Sequence, residues 1–347
     1  MCHALVALSL ACTSYGTGWA GQPEAPRCDL AGSLQLAESG RQAARDSRHD
    51  VAASLLRQAF EACPMQPGVL VELSYAHARR RDFPAAIGAA EEYLEHDPTS
   101  VPGRLALANA LFMGRRLREA REQSLKILAT DPGNAAALKL RANSEYLLGD
   151  LEQAEQTFIE LLERHPNDAE AAYMLGRIYY EDGRLDYAVG QFQRVLKLDP
   201  KNYKAYDNLG LCYEARGEVQ LATRHFLTAI KLVETDYPDY DWPYANLANL
   251  LLGQGNAEKA FSAAVKAATR NPHSARNCYL AGKALSMLNQ TDLSIKWLER
   301  SASLDAGYAE PLYLLARLYN QTGEEEKARD ALQRFREAKA RSSGKGR

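Results

Sequence analysis

Prolines recur along this sequence at one constant interval. Those in strict register are Pro64, Pro98, Pro132, Pro166 and Pro200. The next proline, Pro238, comes one period plus a four-residue insertion later, and Pro272 then follows after one more regular period. A period of about 34 residues is typical of small supersecondary units that stack in a row, each shielding the apolar face of the next. The spacing therefore favours a repeat array over a single closed core.

Small residues recur in phase with the prolines. The first set occupies one fixed position ahead of each repeat boundary, or the matching position of the repeat with the insertion: Ala52, Ala86, Ala120, Ala154, Ala188, Ala222, Ala260 and Ser294. The second set occupies a fixed position earlier in each repeat: Gly40, Ser74, Ala108, Ala142, Gly176, Gly210, Ala248 and Gly282. Large apolar residues, such as Leu175, Tyr179, Phe192 and Val195, fill the intervals. This pattern predicts two amphipathic helices per repeat, which approach closely at the small residues.

Residues 168–202 resemble the tetratricopeptide repeat consensus. The matching positions are Leu175, Gly176, Tyr179, Gly183, Ala188, Phe192, Leu198, Asp199 and Pro200. The resemblance continues through nearly all of the chain after residue 32, in nine repeats at 33–66, 67–100, 101–134, 135–168, 169–202, 203–240, 241–274, 275–308 and 309–342. It implies an all-α, right-handed α-solenoid (superhelix) of about nine tandem helix-turn-helix hairpins. It also implies a concave groove, lined by the first helices, that holds a peptide or a partner protein.

In that family, positions 2, 5, 9 and 12 of each first helix build the concave face. Carried over to the third, fourth and fifth repeats, these positions give the partner-binding candidates Asn109, Phe112, Lys139, Asn143, Tyr146, Tyr173, Arg177 and Tyr180. Aromatic rings offer contact area, amides bond a peptide backbone, and arginine pairs with carboxylates. The alternative is that these side chains only contact neighbouring hairpins.

The four-residue insertion, 233–236, is followed by the acidic and aromatic stretch 237–243. The insertion is expected to lengthen one helix. A direct role in binding for Tyr240 and Trp242 is a hypothesis that follows from the acidic, aromatic and proline-stiffened composition of this stretch.

Cysteine positions indicate one disulfide bond. Cys28 precedes the first predicted helix and Cys63 ends the second, and these ends lie side by side in an antiparallel hairpin. A bond between them would clasp the terminal unit, although two unrelated thiols remain the alternative. Cys212 and Cys278 lie among mostly apolar residues and are expected to be buried and unreactive.

The N-terminus indicates export. Residues 4–12 are mostly apolar, and small residues follow up to Ala20, which is similar to a cleavable signal peptide at 1–20 followed by a linker at 21–32. The mature chain would then be periplasmic or extracellular. No lysine or arginine precedes the apolar run, so a cytoplasmic location is the alternative. No other stretch is long and apolar enough to span a bilayer, and residues 343–347 form a basic tail.

The sequence contains no phosphate-binding loop, no dinucleotide fingerprint, no paired zinc-ligand motif and no nucleophile elbow. We therefore expect a protein that is not an enzyme and has no catalytic residues, cofactor or metal. The net charge of −2 gives no general attraction to nucleic acid. The leading interpretation is a protein-interaction scaffold. The alternatives are an assembly or envelope-biogenesis factor that uses its outer face, and a non-catalytic adaptor of an enzyme complex; the oligomeric state is open.

Overall fold

The computed structural model describes residues 28–344, which form eighteen α-helices and no β-strand. The helices are α1 (Leu30–Arg45), α2 (His49–Ala62), α3 (Val69–Arg79), α4 (Phe83–His96), α5 (Val101–Met113), α6 (Leu117–Leu128), α7 (Ala135–Leu148), α8 (Leu151–Arg164), α9 (Ala169–Glu181), α10 (Leu185–Leu198), α11 (Tyr203–Ala215), α12 (Val219–Asp236), α13 (Trp242–Gly253), α14 (Ala257–Arg270), α15 (Ala275–Met287), α16 (Thr291–Leu304), α17 (Ala309–Gln321) and α18 (Glu325–Gly344). The predicted all-α class of helical hairpins is confirmed. The predicted signal peptide, 1–20, lies outside the described residues.

The helices belong to two compact units, with α1 to α7 in the first and α8 to α18 in the second. Within the second unit, α9 packs on α10, and the same pairing repeats up to α17 and α18. First helices of successive hairpins are also in contact: α9 contacts α11, and α11 contacts α13. The first unit has the same arrangement, with α1, α3 and α5 as the first helices of its hairpins. Within each unit, a hairpin thus buries its apolar faces partly against itself and partly against its neighbours.

One residue in each hairpin turn has a left-handed backbone conformation, with φ between 56° and 86°. These residues share one repeat position: Ser47, Arg81, Arg115, Gly149, Gly183, Gly217, Gly255, Asn289 and Gly323. Glycine reaches this region without a steric penalty, whereas arginine and serine are strained there. The common turn explains why glycine recurs at this phase of the sequence.

The small residues of the first helices face large residues of the second helices. A Cβ atom added to Gly176 of α9 would lie 2.8 Å from the ring of Phe192 on α10, which is too close for real Cβ contacts. Phe192 is fully buried. The same contact recurs between Gly210 of α11 and Phe226 of α12. Glycine at this position therefore lets an aromatic ring fill the space between the two helices.

A disulfide bond joins Cys28 to Cys63 across the first hairpin, with Cα atoms 4.2 Å apart. The backbone N–H of Asp29 donates to the carbonyl of Ala62 at 2.9 Å, directly beside the bond. The start of α1 is thereby fastened to the end of α2. Cys212 and Cys278 are free and buried. None of the helices between residues 28 and 344 has both the length and the apolar composition that crossing a bilayer requires.

Substitution of Gly176 by alanine tests the helix contact. We expect Gly176→Ala to lower the free energy of unfolding by about 1–3 kcal/mol, because the added methyl group overpacks the contact with Phe192. Gly190→Ala in the same hairpin is the matched control, since a Cβ there meets nothing within 4 Å. That change should raise stability by roughly 0.5–1 kcal/mol through helix propensity. Urea unfolding of both variants would contradict the packing model if Gly176→Ala proved as stable as Gly190→Ala.

Candidate functional site

A cavity of about 820 Å³ opens between α9, α11 and the start of α13 in the second unit. Its side-chain lining consists mainly of Glu170, Tyr173, Met174, Arg177, Lys204, Asp207, Asn208, Leu211, Tyr240 and Trp242. Most of these residues come from the exposed sides of successive first helices. The cavity therefore combines aromatic, cationic and carboxylate groups on a helical framework.

The insertion and the residues that follow it supply part of the cavity lining. Helix α12 has 18 residues where α10 and α14 have 14, so the predicted lengthening is found there. The chain then returns towards α11, and the ring of Tyr203 packs against those of Tyr237 and Tyr240 at centroid distances of 4.4 and 4.7 Å. Trp242 opens α13 with 53% of its surface exposed. The extra helical turn thus brings Tyr240 and Trp242 to the cavity.

Arg270, the last residue of α14, fixes this returning segment. Its guanidinium Nη1 donates to the carbonyls of Tyr237 and Pro238 at 3.0 and 3.1 Å, and Nη2 donates to that of Glu234 at 3.2 Å. Nη2 also donates to the hydroxyl of Tyr244 on α13 at 3.2 Å. Helix ends leave carbonyls without intrahelical partners, and a cation satisfies them well. One side chain therefore ties the end of α12 and the loop to α13 and α14.

Polar side chains, most of them buried, connect three successive first helices beside the cavity. Asn246 of α13 donates from Nδ2 to Oδ1 of Asp207 on α11 at 2.9 Å. Arg276 of α15 in turn donates to Oδ1 of Asn246 at 2.9 Å. Asp241 is also buried and accepts from Nδ2 of Asn277 at 2.6 Å. These bonds fix the spacing of the helices, since breaking one would leave a buried group without its partner.

Asp207 has an unusual protonation equilibrium. Only 3% of its surface is exposed, and burial raises the pKa of its carboxyl to about 7. The hydrogen bond from Asn246 and the charge of Arg276 oppose this rise in pKa, whereas Asp241 adds to it. Burial also raises the pKa of Tyr240 well above its ordinary value. The carboxyl group of Asp207 therefore changes its protonation state near neutral pH.

Two cations lie at the cavity. Arg177 of α9 pairs with Glu181 one turn further on, at 3.2 Å. The ammonium of Lys204 on α11 lies 5.9 Å from the ring centroid of Tyr203. Asn208, also on α11, donates from Nδ2 to the hydroxyl of Tyr173 at 3.1 Å and to the carbonyl of Lys204 at 2.8 Å. The oxygen of this amide is thus the atom that can accept a hydrogen bond from a ligand.

The residues predicted for the groove fall in both units, and all are half-buried. In the second unit, Tyr173 and Arg177 line the cavity, whereas Tyr180 lies further along α9 outside its lining. In the first unit the predicted residues lie on α5 and α7: Asn109, Phe112, Lys139, Asn143 and Tyr146.

In the first unit, two of these side chains make contacts that stabilise the fold. Asn109 donates to the sulfur of Met113 at 3.9 Å, and Phe112 packs on the core around α5.

Sequence reasoning missed Asp207, Asn246 and Arg276. A carboxylate between the apolar residues Ala205 and Leu209 was the available signal.

Within residues 28–344, no group of three or more histidine, cysteine, aspartate or glutamate side chains is placed to hold a metal ion. Burial raises the pKa of the Cys212 thiol to about 12, so its nucleophilic thiolate form is scarce at neutral pH. The cavity offers contact surface and hydrogen-bonding groups, which are the features that a binding site requires.

Family models described as tetratricopeptide repeat match this sequence at residues 38–101, 140–202 and 173–238, at residues 77–144, and at residues 312–338. Together these stretches cover well over half of the chain. A comparison of the sequence with curated proteins gives no match.

Solved structures resemble the fold. A tetratricopeptide repeat protein from Parabacteroides merdae shares 20% identity with a TM-score of 0.58, over 77% of this chain and 99% of that one. The Cut9–Hcn1 hetero-tetramer of APC/C contains a chain with 17% identity and a TM-score of 0.61, over 84% of this chain and 56% of that one. At such identities the similarity concerns the fold alone.

The raised pKa of Asp207 predicts a specific dependence of stability on pH. An unfolded aspartate loses its proton near pH 4, whereas native Asp207 keeps it up to about pH 7. The native state therefore holds the extra proton between these values, and the free energy of unfolding contributed by Asp207 falls as the pH rises through that window. Asp207→Asn removes this contribution, so its stability relative to the wild type should be greater at about pH 8 than at about pH 5.

Urea unfolding of the wild type and Asp207→Asn at both pH values measures the difference. Other titrating groups, including His225 and Glu214, are common to the two proteins and cancel. A gap between the proteins that does not change with pH would contradict the burial of an acidic proton at Asp207.

Proposed function

Because this chain belongs to the tetratricopeptide repeat family, we propose that it is a protein-interaction scaffold that binds a peptide segment of a partner protein in the cavity between α9, α11 and α13. Binding is an equilibrium on a preformed surface, without a covalent step. The carrying observation is the aromatic wall that the insertion builds, in which Tyr240 and Trp242 join Tyr173 around a space of about 820 Å³.

Preorganisation supports this assignment. The loop that carries Tyr240 is held by the bonds of Arg270 and by packing of Tyr203, so little conformational freedom is lost when a ligand arrives. Trp242 leaves 53% of its surface exposed, which is a large apolar area to keep in water. Tryptophan and tyrosine are the residues that most often dominate the energetics of protein interfaces.

The polar groups favour a peptide over a purely apolar ligand. The oxygen of Asn208 can accept from a backbone N–H, while Arg177 and Lys204 can meet carboxylates of acidic residues or of a chain end. Glu170 is exposed on the same wall and would meet donors or cations of a ligand. A peptide with both apolar and charged side chains therefore matches the lining better than a hydrocarbon ligand does.

Removal of the aromatic wall tests the binding role. A random peptide library displayed on phage is selected on the immobilised wild-type protein, and the affinity of enriched synthetic peptides is measured by calorimetry. We expect Tyr240→Ala and Trp242→Ala each to weaken binding by at least about tenfold, as hot-spot residues do.

Tyr187→Ala is the matched control, because Tyr187 is an aromatic residue of the same unit with 65% exposure and lies outside the cavity lining. Circular dichroism confirms that each variant keeps its helices. Equal affinities for the wild type and the combined Tyr240→Ala/Trp242→Ala variant would rule out this site.

We further propose that the chain is exported. Two features support export: the apolar run at residues 4–12, and the pairing of Cys28 with Cys63. Disulfide bonds persist in oxidising compartments such as the periplasm and are reduced in the cytosol.

Disulfide mapping and hydrogen exchange test this proposal together. Peptide mapping without reduction should find Cys28 linked to Cys63 in protein taken from the native cell. A reductant should lower the protection of amides in α1 and α2 by the equivalent of about 4 kcal/mol, because the bond closes a loop of 35 residues. The Cys28→Ser/Cys63→Ser variant is the control and should not respond to reductant. Free thiols at both positions in native protein would contradict export to an oxidising compartment.

A further inference from the structure

A second cavity of about 450 Å³ lies between α12 and α14, with α13 as its floor. It shares no lining residue with the cavity of the candidate site. Leu227 and Ile230 of α12 form one wall, and Leu251 of α13 contributes to the floor. Leu227 is 51% exposed, so this groove leaves a substantial apolar surface in contact with water.

A small residue at one repeat position explains why the groove is open. Ala263 of α14 lines it, and the corresponding residues of the neighbouring second helices are His225 and Trp297. In the preceding hairpin the ring of His225 stacks on that of Tyr213 at 5.2 Å, nearly parallel at 10°. The corresponding pair in the α13–α14 hairpin is Ala263 and Leu251, which lack this covering ring. The space that an aromatic side chain fills in one hairpin is therefore empty in the next.

The charges along this groove have one sign. Lys259 and Lys266 of α14 line it, both are exposed, and no acidic side chain belongs to its described lining. The two lysines lie two helical turns apart, which corresponds to a distance of about 10 Å along α14. The groove thus presents an apolar floor and wall beside a cationic edge.

These features select a helical ligand. The walls of the groove are helices whose backbone groups already bond within each helix, so they offer no ladder to an extended strand. A helix satisfies its own backbone and can insert apolar side chains from successive turns into such a groove. Acidic residues two turns apart on that helix would have the same spacing as Lys259 and Lys266.

We propose that the groove between α12 and α14 is a second docking site, which binds an amphipathic helix of a partner protein with acidic residues beside its apolar face. This site is independent of the peptide-binding cavity. With both sites occupied, the chain joins two protein segments, one on the first-helix side and one between second helices.

Two synthetic probes test the inference on the full chain. The first is a fluorescein-labelled helical peptide with leucine at positions i, i+4, i+7 and i+11 and glutamate along one flank. The second has the same leucines with lysine in place of glutamate. Fluorescence anisotropy should show the glutamate peptide binding at least about tenfold more tightly than the lysine peptide at low salt.

Two variants locate the binding. Ala263→Trp places in the groove the residue that Trp297 provides in the next hairpin, and should weaken binding of the glutamate peptide at least about tenfold. Lys259→Glu/Lys266→Glu changes only exposed side chains and should reverse the preference between the two peptides. The matched control is Lys231→Glu/Lys296→Glu, with the same charge change at positions outside the groove. Trp242→Ala should leave the affinity unchanged, which separates this site from the peptide-binding cavity.

Several outcomes would overturn the inference. They are equal binding of the two peptides, failure of both to bind, and unaltered preference in the Lys259→Glu/Lys266→Glu variant. Binding of the wild type and of the Lys259→Glu/Lys266→Glu variant to vesicles of anionic phospholipid is measured as well. Binding of the wild type to these vesicles that is lost in the lysine variant, without binding of the glutamate peptide, would assign the surface to a membrane instead.

Discussion

The close approach of two helices at a residue without a side chain is the contact on which the rest of this structure depends. At Gly176 the ring of Phe192 occupies the volume that a Cβ would need, and the pair Gly210 and Phe226 repeats the contact one hairpin later. This packing fixes the spacing within a hairpin, and the left-handed turn residue fixes its direction. With those two features set, other first-helix positions can carry charged or aromatic side chains. The candidate site draws on such positions, among them Tyr173, Arg177 and Lys204.

The candidate site arises where the repeat is interrupted. A four-residue insertion adds one turn to α12, and the chain must return over Tyr203 to begin α13. This return path would leave helix-end carbonyls without partners, and Arg270 meets that need from α14. The hydrogen bonds of Arg270 thus stabilise the local irregularity, which carries Tyr240 to the cavity. A repeat without the insertion has no loop at this place and could not build the same wall.

Sequence periodicity predicted the helical hairpins because packing at fixed phases is a local property of the chain. The resemblance to the family predicted that Tyr173 and Arg177 lie on the face of α9 that lines the groove, and both line the cavity. The chain of bonds from Asp207 through Asn246 to Arg276 could not be predicted in the same way. Each of these side chains is an ordinary polar residue in its own helix, and only the distance between α11, α13 and α15 joins them in one largely buried network. Asp207 acquires its raised pKa from that burial, which no spacing along the sequence reveals.

Helix α13 connects the two cavities. Trp242 at its start lines the first, while Tyr244 and Leu251 line the second, so opposite faces of one helix contribute to the two cavities. Tyr244 also accepts a hydrogen bond from Arg270, the residue that holds the loop of Tyr240. Only 3% of Tyr244 is exposed, so its ring is packed rather than mobile. Because both cavities are built on this one packed helix, the proposed two-site scaffold would hold its two segments at a fixed distance. A scaffold that positions two segments requires that distance more than it requires communication between them.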